Sequence, residues 1–375
     1  ANKKRWSKLN VKHQDFEQRT NAFVRQHPDY DQHQTVAFHE DDASGLRAII
    51  AIHNQNRGPA LGGCRMFPYA TQNDALADAL RLSRGMTYKS ALAGLPLGGG
   101  KAVIIGNPRK DKSRELFLAM GSFIDSLQGR YISAEDSGTS VADLAIMGET
   151  TPWVSGIHSD HEFSGDPSPY TALGTFEGIK AAVKHQLRQS DLAGVSIAVQ
   201  GVGNVGMYLT KLLTQAGARV YVADVNDLNL ARAKENYGAT IVDAKKIHRL
   251  DVDVYAPCAM GGAINHSSIQ EIRASIIAGA ANNQLSTPDV AETARLIGIL
   301  YAPDYVINAG GIIDIHHQQT GNRDVNQVRR QVAAIGETLA SIFCRAESTK
   351  TPTSMIADQI AEERFLAPKR QAGVA

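Results

Sequence analysis

The stretch Val195-Ser-Ile-Ala-Val-Gln-Gly-Val-Gly-Asn-Val-Gly206 decides the fold. Val195 to Val199 is a short, largely apolar run, as expected for a parallel strand buried on both faces. Gly201-Val-Gly-Asn-Val-Gly206 follows it as a complete GxGxxG, and helical spacing runs from Asn204 to Ala216. Strand, glycine turn and helix form the setting that a dinucleotide fingerprint requires. Gly201 allows the tight turn and Gly203 lets a pyrophosphate approach the backbone. Gly206 lets helix and strand pack closely, and the helix N-terminus, opening with Asn204 and Val205, then faces the phosphates. The next strand ends at Asp224, where an acid accepts hydrogen bonds from the adenosine ribose and repels a 2′-phosphate. No arginine follows immediately. The cofactor expected is therefore NAD rather than NADP. The plain alternative is a glycine turn in an α/β protein that binds no nucleotide.

Around this core the rhythm is that of a doubly wound sheet. Candidate strands are Val220–Ala223, Val252–Tyr255, Ser275–Ile277 and Ile299–Tyr301, with helices at Asn204–Ala216 and Asp227–Tyr237. Before residue 155 the pattern differs. Ala48–Ile52 and Ala102–Ile105 read as strands, Asn73–Tyr88 and Ser113–Leu127 as amphipathic helices, and Pro59–Gly63 as a tight loop. The expected fold class is α/β with two domains. Residues 1–155 would form an α/β substrate-binding and oligomerisation domain, and 156–344 a Rossmann-type domain. The long helix Val325–Arg345 would return the chain so that 345–375 rejoins the first domain.

Lys+Arg 39 against Asp+Glu 38 gives a formal charge of +1, which makes no case for nucleic acid or a membrane surface. No apolar stretch approaches the roughly 20 residues that span a bilayer. The basic start Ala1-Asn-Lys-Lys-Arg5 lacks the apolar core of a signal peptide. Cys64, Cys258 and Cys344 are widely spaced and form neither a disulfide framework nor zinc spacing, and they are expected to pack as small apolar residues in a reducing, cytoplasmic setting. Among 12 histidines there is no HExxH, so no metal is expected.

Two lysines stand out. Lys89 follows Met86-Thr-Tyr88, and Lys101 follows Gly98-Gly-Gly100 and precedes the strand Ala102–Ile105. Most lysines are solvated surface groups, but here the glycines open space against the backbone while the strand fixes the side chain's origin. Downstream, Ala134-Glu-Asp136-Ser-Gly-Thr139 places acids in a loop after the apolar Tyr131-Ile132.

These segments, in order, resemble the glutamate/leucine/phenylalanine/valine dehydrogenases. They are Gly58-Pro-Ala-Leu-Gly-Gly-Cys-Arg-Met66, Gly85–Lys89, Gly98–Lys101, Ala134–Asp136, Gly165–Pro169, Gln200–Val205, Ala256–Ala259 and Asn308–Gly311. The resemblance is strongest to the leucine-specific members and covers all but about the first thirty residues, an extension with no assigned role, and the last dozen. It implies an NAD-dependent L-amino-acid dehydrogenase working as a homo-oligomer, with a cleft that closes between its domains. By the same resemblance Lys89 holds the substrate α-carboxylate and Lys101 is the general base for water. Asp136 exchanges protons with the substrate amine, and Gly62 offers its carbonyl to the ammonium. Thr171, Asn283 and Asn308 position the nicotinamide. Two cations sharing a desolvated cleft would lower each other's pKa and bring Lys101 toward neutrality.

The side-chain pocket implied is Leu61, Met86, Ala134, Ile312 and Ile315. Leu61 and Ile315 stand where glutamate-specific relatives carry a lysine and a serine, so a buried substrate carboxylate would go unpaired. The substrate expected is leucine, valine or isoleucine. Asn282, where leucine dehydrogenases carry an apolar residue, and Asp314, where they carry asparagine, are departures. The pair Asn282-Asn283 keeps phenylalanine as an alternative. A catalytically silent NAD-binding regulator is a remote third.

Overall fold

The computed structural model describes residues 23–157, 166–320 and 324–367. Gly165 of the family pattern and most of the N-terminal extension lie outside the described residues. The chain divides into two compact units, Ala1–Thr87 with Leu97–Ile157, and Tyr88–Pro96 with His158–Ala375.

The first unit is built on a mixed sheet of β1 (Thr35–Asp41), β2 (Leu46–Asn54), β3 (Ala60–Phe67), β4 (Gly98–Ile105) and β5 (Tyr131–Glu135), in the order β1-β2-β4-β3-β5. Helix α1 (Gln72–Leu92) links β3 to β4, which pair in parallel. Both faces of the sheet are covered, because alternate residues of β2 point opposite ways. Ile50 and Ile52 pack with Met66, Ile104, Phe117 and Ile124. Ile49 and Ala51 pack with Leu76, Leu80 and Val103. Phe117 and Ile124 come from α2 (Arg114–Asp125), whose first turn is capped by the Ser113 side chain accepting from the Leu116 N–H. Helix α3 (Val141–Met147) closes that layer with a capping box between Ser140 and Asp143.

Pro59–Gly63, expected as a loop, is instead mostly strand. From Ala60 onward it is the start of β3, paired with β4 on one side and β5 on the other. The glycines there serve close packing: a Cβ on Gly62 would lie 1.7 Å from the Gly100 carbonyl oxygen. The same holds for Gly98-Gly-Gly100, which sequence alone suggests as space for a ligand. A Cβ on Gly98 would meet the Asn54 carbonyl oxygen at 2.0 Å, and one on Gly99 the Thr87 nitrogen at 2.0 Å. Neighbouring backbone and the Tyr131 ring already fill that volume.

The second unit opens with α4 (Ser168–Gln186) and carries a parallel sheet, β6 (Ser196–Gln200), β7 (Arg219–Ala223), β8 (Thr240–Ile241), β9 (Val254–Pro257), β10 (Ile276–Ile277) and β11 (Leu300–Tyr301). Its order is β11-β10-β9-β6-β7-β8, the 6-5-4-1-2-3 pattern of a Rossmann domain, with the switch point beside β6. Helices α5 (Asn204–Gln215), α6 (Asp227–Tyr237), α7 (Val290–Leu296), α8 (Asp304–Ile307) and α9 (Gly310–Gln319) follow their strands. The long α10 (Val325–Thr349) lies against α4, where Gly174 and Gly178 leave room for Ile335 and Leu339.

The last helix, α11 (Thr353–Leu366), groups in one unit with residues 88–96, at the end of α1 and just beyond it. The cause is local. The Tyr88 hydroxyl donates to Glu362 at 2.7 Å, Arg364 donates to the Leu92 carbonyl at 2.8 Å, and Phe365 meets the Tyr88 ring edge-on. Among the described residues no helix is long and apolar enough to cross a membrane.

Candidate active site

In the first unit β4 delivers Lys101, and the turn after β5 delivers Asp136. Lys101 is buried, and its Nζ contacts Asp136 Oδ2. The carboxylate is held from below: its Oδ1 accepts the Ser137 N–H at 2.7 Å, while the Asp136 N–H donates to Thr139 Oγ1 at 3.1 Å. Thr139 in turn donates to the Cys64 carbonyl of β3 at 2.7 Å. Gly63 makes this possible, since a Cβ there would sit 2.7 Å from the Asp136 Cβ. Lys101 thus contacts an anion, the Asp136 carboxylate.

Sequence reasoning passed over Arg65, although it lies inside the quoted family pattern. Its Nε is 3.5 Å from the same Asp136 Oδ2 that Lys101 uses, and its Nη1 is 3.0 Å from Asp78 Oδ2. Asp78 also accepts from the Tyr69 hydroxyl at 2.5 Å. Glu135, next in sequence to Asp136, has its carboxyl pushed up by burial and by Asp143, with Lys112 opposing.

Gly62 keeps its expected place on β3, but its carbonyl accepts from the Tyr131 hydroxyl at 2.6 Å. Leu61 and Ala134 are buried on adjacent strands of the same sheet, and Met86 is half-buried on α1.

In the second unit Lys89 sits in the last turn of α1. Burial holds its ammonium below the usual lysine range, and the Asp304 carboxylate opposes that shift. Asp304 starts α8 and accepts the Gln284 N–H at 2.8 Å and the Tyr305 N–H at 2.6 Å. One turn later Asn308 donates to the Ala280 carbonyl at 3.2 Å and to Asn282 Oδ1 at 2.7 Å. The loop 279–284 is therefore clamped from both ends, and it presents Asn283 at φ 51, a conformation a non-glycine residue rarely takes. Asn282, a departure from the leucine-specific pattern, is committed to Asn308. Asp314, the other, accepts from Gln318 at 2.7 Å. Ile312 is buried and Ile315 half-buried on α9, and Thr171 lies in the first turn of α4 beside Gly311.

The glycine turn has the geometry of a phosphate cradle. Gly201 has φ 97, and a Cβ on Gly206 would meet its carbonyl oxygen at 1.9 Å. A Cβ on Gly203 meets nothing within 4 Å, and no side chain caps α5 there. A helix N-terminus with free N–H groups beside open space suits a pyrophosphate. Asp224 Oδ2 accepts the Val202 N–H at 2.7 Å and Oδ1 the Asn226 N–H at 2.8 Å, which fixes the carboxylate at the strand end. Asn308 Oδ1 is buried and, among the described residues, has no hydrogen-bond partner, an acceptor suited to a carboxamide N–H. These residues fit a dinucleotide.

Burial pushes the Cys64 and Cys258 thiols up to about 12, so both stay neutral. Cys344 is exposed on α10 and does not pack inside as expected, because it lies on the solvent face of an amphipathic helix. Among the described residues no group of three or more His, Cys, Asp or Glu is placed to hold a metal.

Against known proteins, residues 31–153 match the Glu/Leu/Phe/Val dehydrogenase dimerisation domain, and 165–228 with 222–350 match the glutamate/leucine/phenylalanine/valine dehydrogenase domain. The leucine dehydrogenase of Geobacillus stearothermophilus is 49% identical over 338 residues, 90% of this chain and 91% of that protein. The valine dehydrogenase of Streptomyces virginiae is 43% identical over 342 residues, 90% of this chain and 95% of that protein. The crystal structure of L-tryptophan dehydrogenase from Nostoc punctiforme superposes with a TM-score of 0.83 at 41% identity, covering 94% of this chain and 100% of that one. The chain belongs to the Glu/Leu/Phe/Val dehydrogenase family. It is an amino-acid dehydrogenase, an oxidoreductase.

Proposed function

We propose that the chain catalyses the NAD-dependent, reversible oxidative deamination of an apolar L-amino acid of the leucine, valine or isoleucine type, giving the 2-oxo acid and ammonia. The observation that carries this is the contact between buried Lys101, on β4, and half-buried Asp136, in the turn after β5, across the intervening β3 of the first unit. Dinucleotide bound at the 201–206 turn supplies the hydride acceptor. Lys89 holds the substrate α-carboxylate as a point charge. Asp136 takes a proton from the substrate amine, leaving the lone pair that drives imine formation. Lys101 takes a proton from water as its oxygen adds to the imino carbon, and Asp136 returns a proton to the departing ammonia. Asp224 selects NAD by repelling a 2′-phosphate, and Thr171, Asn283 and Asn308 hold the nicotinamide.

By the family resemblance Leu61, Met86, Ala134, Ile312 and Ile315 are the residues assigned to the substrate side chain in this proposal. All are apolar, so a substrate carboxylate there would lack a partner. The dimerisation match supports a homo-oligomer of this chain. An aromatic substrate is the second reading, supported by the 41% identity to a tryptophan dehydrogenase and by the Asn282-Asn283 pair. Comparing kcat/KM for leucine, valine, phenylalanine, tryptophan and glutamate with NAD decides. Branched-chain substrates should lead; a glutamate preference would overturn the pocket assignment.

A further inference from the structure

We propose that Arg65 is a positioning residue for this chemistry, sharing the Asp136 carboxylate with Lys101 and so weakening the carboxylate's hold on the lysine's proton. The inference rests on the functional reading above.

Three distances carry it. Arg65 Nε lies 3.5 Å from Asp136 Oδ2, the oxygen that Lys101 also contacts. Arg65 Nη1 lies 3.0 Å from Asp78 Oδ2, and the Tyr69 hydroxyl meets that same oxygen at 2.5 Å. The guanidinium is thus tethered from the α1 side and presents its Nε edge to the catalytic carboxylate. Among the described residues that buried Nε has no hydrogen-bond partner, so Asp136, at 3.5 Å, is the anion that compensates it.

The chemistry requires such a group. A general base must lose its proton before it can accept one, yet an ammonium touching a carboxylate holds its proton tightly. A second cation on the same carboxylate draws off part of that attraction. Arginine suits the task because it stays charged at any working pH, so it never competes for the proton being moved. The other groups facing the pair change little. Cys64 on β3 is held neutral by burial. Glu135 on β5 interacts with Asp143 and Lys112. Asp78 is taken up by Arg65 and Tyr69.

Removing the arginine charge should tighten the lysine–aspartate pair, and the sign is fixed. Lys101 must be neutral and Asp136 ionised to act, and losing the cation makes both harder to deprotonate. Either group therefore moves the acidic limb of kcat/KM to higher pH. The experiment is the pH profile of kcat/KM for leucine oxidation by wild type, Arg65→Gln and Arg65→Lys, with NADH affinity from fluorescence titration. Substrate ionisation is common to all three and cancels. For Arg65→Gln the acidic limb should rise by about one pH unit, the lower end of the effect of an opposite charge at this distance. Activity at neutral pH should fall about tenfold and recover at high pH, while NADH affinity holds. Arg65→Lys keeps the charge and should leave the limb in place. A pH-independent loss in Arg65→Gln would overturn the proposal. Should that variant not fold, Arg65→Lys carries the test, and a limb displaced upward by a unit would overturn it equally. Leucine turnover by wild type together with an unmoved limb sinks this inference alone; a wild type that oxidises no amino acid sinks the functional reading.

Discussion

Lys101 Nζ and Asp136 Oδ2 touch inside the first unit, one residue from the middle of a sheet strand and the other from the turn after its neighbour's neighbour. An ion pair between a buried lysine and a half-buried aspartate is expensive to build and contributes little net stability, which makes chemistry its better explanation. Asp136→Asn removes the anion while keeping the shape, and should lower kcat by about 10²- to 10⁴-fold, the scale of general acid–base assistance. Glu135→Gln, one residue away, should stay within about threefold of wild type, as substitutions outside such networks do. Equal losses in both would contradict the assignment.

Gly62 and Gly203 are both part of family patterns, but they should fail differently. A methyl on Gly62 would sit 1.7 Å from the Gly100 carbonyl oxygen, and a sheet interior cannot shift that far. Gly62→Ala should cost about 3 kcal/mol or more, at the upper end for overpacking, seen as a lowered denaturation midpoint. A methyl on Gly203 meets nothing within 4 Å. Gly203→Ala should leave stability within about 1 kcal/mol, yet weaken NADH binding in a fluorescence titration, because the methyl stands where the pyrophosphate approaches.

Much of the second unit was legible in the sequence because its local and global preferences agree. Asp227–Tyr237 is a helix as its spacing predicts, and Val195–Gly206 is strand, turn and helix where expected. The first unit was harder. Strand β1 reads as polar, and its register against β2 is fixed by tertiary contacts such as His39 stacking on Phe123 at 5.0 Å. Ala60–Gly63 carries turn-type glycines whose purpose, close approach inside a sheet, shows only when the partner strands are present. Lys101 and Asp136 were found from motif and resemblance. Arg65 was not, because an arginine after a cysteine in a strand gives no local signal of what its head group meets.

Asp224 bears on cofactor choice in two ways, since its carboxylate also holds the Val202 and Asn226 N–H groups. Wild type should prefer NAD to NADP. Asp224→Ala should reduce that preference by about tenfold or more, the effect of a kcal or two of removed charge repulsion, with weaker binding of both cofactors. A wild type that favours NADP would contradict the role given to this residue.

His53 makes stability pH-dependent. Burial, and then the neighbouring His33, hold its imidazole down to about 4, against the opposing pull of Asp31. In the unfolded chain a histidine titrates near 6.5. Above that pH both states are neutral and stability is full. Between about 6.5 and 4 only the unfolded state takes up the proton, so stability falls by roughly 3 kcal/mol. Urea denaturation at a series of pH values should show this slope, and His53→Gln should flatten it. The same slope in both proteins would assign it elsewhere.

The most direct measurement is turnover and cofactor binding in Lys101→Ala. The substitution should lower kcat for leucine oxidation by about 10³-fold or more, within the range for a lost general base, while the NADH titration stays close to wild type because the cofactor turn lies on different elements. Turnover preserved in that variant would contradict the central claim that Lys101 is the base.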